Sequence, residues 1–209
     1  INQDNNNLTG LLPSELECLP ELKKIQADDN FLTGTIPISY TNIAKLEWVD
    51  LDSNKLTGTI PEQIGNLQNL RIWDTDSNSM TGSIPESLFN INTLQVLDIN
   101  DNKHTGSLSP NFSRLQNFRV FQMHNNQFTG SIPPSMRLLT LLNEFNLAGN
   151  NISGTMPQGI CNLRLGELKE LVSDCGGSSP EVICPSSCCT QCNTFDRTRG
   201  VELSFSYDF

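Results

Sequence analysis

Apolar positions along this chain recur in a fixed phrase, L-x-x-L-x-L-x-x-N-x-L-T-G-x-I-P, followed by about ten residues with an I-G-N-L flavour. Its Asn stands at Asn6, Asn30, Asn54, Asn78, Asn102, Asn126 and Asn150, always 24 residues apart, with no insertion or deletion. In the unit ending at Asn54 the apolar set is Leu46, Val49 and Leu51, then Leu56 and Ile60; Leu94, Leu97 and Ile99 repeat it before Asn102. The residues five and three before each Asn alternate with polar neighbours, which predicts a short strand with those two pointing inward. One such unit cannot bury its own apolar face. A fixed period of this length therefore predicts a solenoid whose stacked strands pair in parallel.

The remaining phrase residues have separate tasks. An Asn side chain carries donors and an acceptor, so at a chain bend it can satisfy backbone groups the turn leaves unpaired. Gly10, Gly34, Gly58, Gly82, Gly106, Gly130 and Gly154 mark a position where a side chain would crowd the bend or φ must be positive. Pro37, Pro61, Pro85, Pro133 and Pro157 are expected to open a short helical or 3₁₀ stretch on the convex side. Ser109 replaces that Pro in one unit, with Pro110 next, which predicts one shifted turn.

Over roughly residues 1–174 the phrase resembles the leucine-rich repeat (LRR) family, and its T-G-x-I-P half resembles the plant-type class. The resemblance implies an LRR solenoid, a right-handed β/α superhelix. It would have a parallel concave β-sheet, short 3₁₀ or helical convex segments and a disulfide-rich C-terminal cap. The expected organisation is a repeat array over 1–160, a cysteine-rich cap over 161–192 and a tail over 193–209 with a strand. It implies a non-catalytic recognition role as receptor ectodomain, secreted inhibitor or ligand trap.

Composition narrows the setting. The formal charge of −10 argues against nucleic acid or an anionic membrane as partner and favours cationic ones. No apolar run is long enough for a transmembrane helix. The chain begins at Ile1 without a Met or signal peptide and reads as a mature or truncated piece of a secreted protein. Six of its seven cysteines crowd into residues 161–192, pointing to an oxidising compartment. Glycosylation sequons at Asn7, Asn111 and Asn151 fit an extracellular location.

Counting back from each Asn gives the outward columns of the concave face. Six before, Trp48, Ile72, Val96 and Val120 form an apolar stripe expected in solvent, between Lys24 and Glu144. Four before stand Gln26, Asp50, Asp74, Asp98, Gln122 and Asn146; two before stand Asp28, Asp52, Asp76, Asn100, His124 and Ala148. Carboxylates about 5 Å apart repel by roughly 1 kcal/mol per pair even in water. Such a patch must hold counter-ions, raise pKa values, bind a metal or meet a basic partner. A solvated surface is one reading. The functional one is a protein or peptide ligand, with a glycan as a lesser option, anchored on Trp48 and the stripe while Asp50, Asp52, Asp74, Asp76 and Asp98 select a basic group. His124 on the same face is a candidate pH-sensitive contact.

Other classes remain as alternatives. A structural or adhesive matrix protein would use the acidic face to take up calcium or polyamines loosely. A tight calcium site is disfavoured because a flat strand face offers mainly carboxylates. The hydroxyl column Thr35, Thr59, Ser83, Ser107, Ser131 and Thr155 allows ice binding as a remote reading. His104 sits in an inward Leu column and reads as a packing substitution, as does Trp73. No nucleophile–base pair or phosphate loop is present, so neither an enzyme nor a cofactor is expected.

At the C-terminal end, Leu163, Leu165, Leu168 and Leu171 break register by about one residue, and Asp174 falls where the next Asn is due. An open solenoid end needs a cover. Cys161, Cys175, Cys184, Cys188, Cys189 and Cys192 are expected to close one with three disulfides, their pairing left open. A metal site is the rival, but only Cys189 and Cys192 have C-x-x-C spacing. The cap looks like those of secreted algal LRR proteins. Cys18 aligns with convex-side Asn42, Asn66 and Asn90, and is either a small buried residue or the partner of an N-terminal cysteine. Val201, Leu203, Phe205, Tyr207 and Phe209 alternate as a strand does.

Overall fold

The structure, a computed structural model, describes residues 1–176, 181–185 and 188–192. The strand expected over 201–209 lies outside the described residues. Short strands form at the predicted phase: β1 (Lys24–Gln26), β2 (Trp48–Asp50), β3 (Ile72–Asp74), β4 (Val96–Asp98), β5 (Val120–Gln122) and β6 (Glu144–Asn146). With β7 (Glu170–Ser173) and β8 (Gln191–Cys192) they make one eight-stranded sheet in chain order. Pairing is parallel and in register, so Trp48, Ile72, Val96 and Val120 stand side by side.

Strand parity then sorts the side chains. Val49, Leu51, Trp73, Leu97, Ile99, Phe121, Phe145 and Leu147 point inward and join one continuous core along the array. Near its middle the core is aromatic, with Phe112, Phe118, Phe121 and Phe145 in successive ring contacts. His104 is fully buried in its Leu column, with Nδ1 3.2 Å from the Gly82 carbonyl and its ring stacked on Phe128. Burial lowers its pKa, so it packs as a neutral ring.

The T-G half of each unit forms a second line of short parallel strands, such as Phe31–Thr35 beside Lys55–Thr57. Here Thr57 and Thr81 donate their hydroxyls to the Gly34 and Gly58 carbonyls of the preceding coil. Gly58 needs to be glycine on both predicted grounds. Its φ is +80°, and an added Cβ would sit 2.7 Å from Thr35 Cγ2.

Pro37, Pro85 and Pro133 lead into 3₁₀ turns at Ile38–Asn42, Glu86–Asn90 and Pro134–Leu138, and Pro157 leads into the helix α1 (Gln158–Leu163). The Ser109 unit does not shift. Its turn, Pro110–Arg114, keeps the 24-residue spacing because Ser109 Oγ accepts from the Asn111 amide and Pro110 takes the first turn position.

The phrase Asn is a buried rivet. Asn102 Nδ2 lies 2.9 Å from the Thr75 and Asn100 carbonyls and 3.4 Å from that of Ile99, while its Oδ1 accepts from the Met80 amide. Asn54, Asn78, Asn126 and Asn150 repeat these four contacts at the same offsets. The residue before the Asn is left-handed, with φ near +50° at Asp29, Ser53, Ser77, Asp101 and Asn125, and Gly149 in the last unit. Small polar residues and glycine tolerate that conformation best.

Two expectations about the ends change. β7 pairs Leu171 with Phe145, a step of 26 residues, so the register slips by two residues rather than one and the sheet continues past it. Asp174 still serves its coil, accepting from the Gly149 amide at 2.7 Å. Cys18 is exposed and free among the described residues, which removes the buried reading and leaves a partner outside this sequence as the other. The cap cysteines form Cys161–Cys188, Cys175–Cys192 and Cys184–Cys189. The first ties α1 on the convex side to the segment entering β8. Val182–Ile183 adds a parallel strand to Gly154–Thr155, which covers that edge of the last full coil.

Two outcomes follow for stability. Replacing Asn102 by Leu strands the buried Met80 amide and takes one donor from each of the Thr75, Ile99 and Asn100 carbonyls, and should cost about 3 kcal/mol in urea unfolding, whereas exposed Asn6→Ala should cost under about 1 kcal/mol. Removing Cys161–Cys188, which closes a 27-residue separation, should cost about 3.5 kcal/mol, and the five-residue Cys184–Cys189 pair about 2 kcal/mol, as Cys→Ala pairs in the same assay.

Candidate functional site

The concave face is built by β1 to β6, whose alternate side chains point away from the core. The structure places Trp48, Ile72, Val96 and Val120 on that face as expected, in a small cluster separate from the main core. It corrects their exposure. Ile72, Val96 and Val120 are 5%, 0% and 4% exposed, so the stripe is not open to solvent. In-register strands about 4.8 Å apart let each branched side chain cover its neighbours. Trp48, packed at the end of this row, remains partly exposed.

Trp48 is polarised on two sides. Lys24 Nζ lies over its ring, 4.3 Å from the centroid, and its Nε1 donates to Asp50 Oδ2 at 3.3 Å. Asp28, Asp50 and Asp52 are half-buried beside it, with carboxylate oxygens within 4.8 Å of one another. Burial, reinforced by the neighbouring carboxylates, pushes Asp50 up to about 7 and Asp28 up to about 8; Asp52 is also raised.

Further along, the acids sink. Asp74 and Asp98 are buried and Asp76 is half-buried, again with oxygens within 4.8 Å. Burial and then the Asp98 and Asp76 charges hold the Asp74 carboxyl well above the usual range; Asp76 rises to about 8. Asn100 stands between, donating Nδ2 to Asp98 Oδ1 at 2.6 Å and to Asp76 Oδ2 at 3.2 Å. Gln122 is fully buried and donates to Glu144 Oε2.

His124 is corrected too. It is buried, with Nε2 3.6 Å from Asp101 Oδ2, and burial lowers its pKa more than Asp101 raises it. It is a neutral packed ring rather than a surface contact. Of the sequons, Asn7 and Asn151 are exposed, whereas Asn111 is half-buried with Nδ2 on Glu86 Oε2. Lys24, Asn100 and Gln122 belong to the site and were not singled out in the sequence. Their signal was present, because they occupy the same outward columns as the acids.

These shifts set a pH dependence. Asp76 titrates near 3.8 unfolded and about 8 folded, so its contribution is whole below about pH 4 and is lost as pH rises through about 8. In cation-free buffer the thermal midpoint should fall between about pH 6 and about pH 9, and Asp76→Asn should flatten that fall. An unchanged slope in the variant would contradict the assignment.

The comparisons with known proteins agree with this geometry. The Leucine Rich Repeat family model matches residues 45–67, 93–115, 117–139 and 141–163. No match is found among curated proteins. Among solved structures, the plant peptide hormone receptor RGFR1 in complex with RGF2 is 34% identical with a TM-score of 0.78, covering 83% of this chain and 27% of that one. The HAESA LRR ectodomain of Arabidopsis, bound to an extended IDA peptide hormone, is 29% identical with a TM-score of 0.76, covering 82% and 28%. A structure of the BIR3–SERK2 complex from Arabidopsis thaliana is 30% identical with a TM-score of 0.56, covering 64% of this chain and 71% of that one. The chain thus spans little more than a quarter of the first two relatives. No described helix is long and apolar enough to cross a membrane. With its 24-residue coils, parallel concave sheet and these relatives, the chain belongs to the leucine-rich repeat family.

Proposed function

We propose that this chain is an extracellular, non-catalytic recognition module that binds a basic peptide or protein segment on its concave face. The observation that carries the reading is Trp48, a partly exposed indole set against the half-buried carboxylates of Asp28, Asp50 and Asp52. An aromatic anchor beside desolvated charge is the composition of a binding hot spot. A guanidinium or ammonium placed there would relieve the repulsion that raises these carboxyls. The similar structures are a plant peptide hormone receptor and an ectodomain holding a peptide hormone ligand, which supports a peptide or protein partner here. The disulfide-closed cap supports an oxidising compartment, and we assign the chain to a secreted or cell-surface setting.

The contact area is smaller than the sequence columns imply. Ile72, Val96 and Val120 support the floor beside Trp48 and do not touch a ligand, so the anchor is one indole rather than a stripe.

A random peptide library selected on the full chain should yield ligands carrying Lys or Arg. Their affinity should fall at least about tenfold for Trp48→Ala and for Asp52→Lys, the loss expected when a hot-spot contact is removed. Selected peptides that bind both variants as tightly as the wild type would rule out this face.

A further inference from the structure

We propose that the middle of the concave face is a divalent-cation site, formed by Asp74, Asp76, Asp98 and the side-chain carbonyl of Gln122. It lies beyond the Trp48 end and does not rest on the peptide-binding reading.

Three carboxylates within 4.8 Å of one another do not make a site by themselves. The independent observation is Gln122. Its side chain is 0% exposed, and its Oε1 is buried with no hydrogen-bond partner. Its Nε2 is held on the β6 side by Glu144 Oε2 at 3.1 Å. The two arms of a planar carboxamide diverge, which turns Oε1 toward β4, where Gln122 pairs in register with Asp98. With Nε2 held at Glu144, Oε1 is left on the β4 side without a donor. Asp76 Oδ1 is a second buried acceptor without a partner in the same cluster. Leaving such groups unpaired costs about 1–3 kcal/mol each, and native folds rarely leave two together.

A cation resolves both. It takes acceptors from several sides at once, which no single N–H can do. All the available atoms are oxygens, from carboxylates and one amide, and that donor set selects a hard ion of the calcium or magnesium class. Asn100 fixes the arrangement. Its Nδ2 holds one oxygen of Asp76 and one of Asp98, while backbone amides of Asp76 and Asn100 each hold an Oδ1, of Asp74 and Asp98 respectively. Carboxylates oriented in this way lose little freedom on coordination. Burial also separates this group from the Trp48 end. Asp74 and Asp98 are buried, whereas Asp28, Asp50 and Asp52 are half-buried.

The test uses the full chain freed of divalent ions, at about pH 8, where a cation competes with fewer protons for carboxylate ligands. Calorimetric titration with calcium chloride should show saturable binding of one ion. At about a hundredfold excess over Kd the thermal midpoint should rise by roughly 5–10 °C over a sodium chloride control of equal ionic strength. Asp76→Asn and Gln122→Leu, checked for native circular dichroism, should each weaken binding about tenfold or more, a typical loss for an altered metal shell. Asp52→Asn and Trp48→Ala should leave it within about twofold, since neither residue is among the ligands. The site is refuted if the wild type gives neither saturable heat nor a midpoint shift beyond the sodium control. It is equally refuted if Asp52→Asn loses as much affinity as Asp76→Asn, because the effect is then diffuse screening.

Discussion

Each coil of this chain must turn its backbone at the end of a three-residue strand, and the strand ladder alone leaves carbonyls at that bend, such as those of Ile99 and Met123, needing a donor. One carboxamide per coil takes them up. Asn126 shows how: its Nδ2 serves the Ile99 carbonyl in the preceding coil and the Met123 and His124 carbonyls in its own, while Oδ1 accepts the His104 amide. The same side chain therefore closes its own turn and fastens that turn to the coil before it. A coil that gained or lost one residue between rivets would break two sets of bonds. This constraint holds the period at 24 through Asn150 and keeps every outward column straight.

Straight columns have a chemical consequence. Asp50, Asp74 and Asp98 occupy successive strands in one register, so their carboxyls cannot drift apart as they would on a flexible loop. The scaffold imposes both the burial and the crowding, and burial, reinforced by the crowding, raises the acids. Stability and chemistry are thus linked through the same repeat: the bonds that fix the coil are what hold like charges together.

Periodicity in the sequence carries direction well and depth poorly. The period-2 alternation placed Val49 inward and Trp48 outward, and the same count assigned Asp28, Asp50, Asp52, Asp74, Asp76 and Asp98 to one face. It could not report that Ile72, Val96 and Val120 bury one another, because that depends on lateral packing between strands of different coils. His124 reads as a lone surface imidazole in one dimension and proves to be enclosed beside Asp101 for the same reason. Nor was the cap legible in detail. Six cysteines promise three bridges, but the pairing is decided by where α1, β7 and β8 bring the chain, and the two-residue slip before β7 is hidden among closely spaced leucines. What the repeat fixes by hydrogen bonding was readable; what neighbouring coils decide by contact was not.

The two ends of the acidic face are not independent in energy. The Asp52 charge contributes to the shift of Asp76, and the Asp50 and Asp52 charges contribute to that of Asp74. Neutralising either group lowers the electrostatic cost of ionising the other. A cation held at Asp74 and Asp76 would make the carboxyls near Trp48 easier to ionise, yet it would also reduce the negative field that draws a basic ligand there. These effects oppose each other, and burial decides between them. Asp50 titrates at about 7 and Asp28 at about 8, so well above about pH 8 both are already ionised and the loss of field dominates. By linkage the same coupling acts in reverse: a basic segment seated at Trp48 would weaken the cation by the factor with which the cation weakens it.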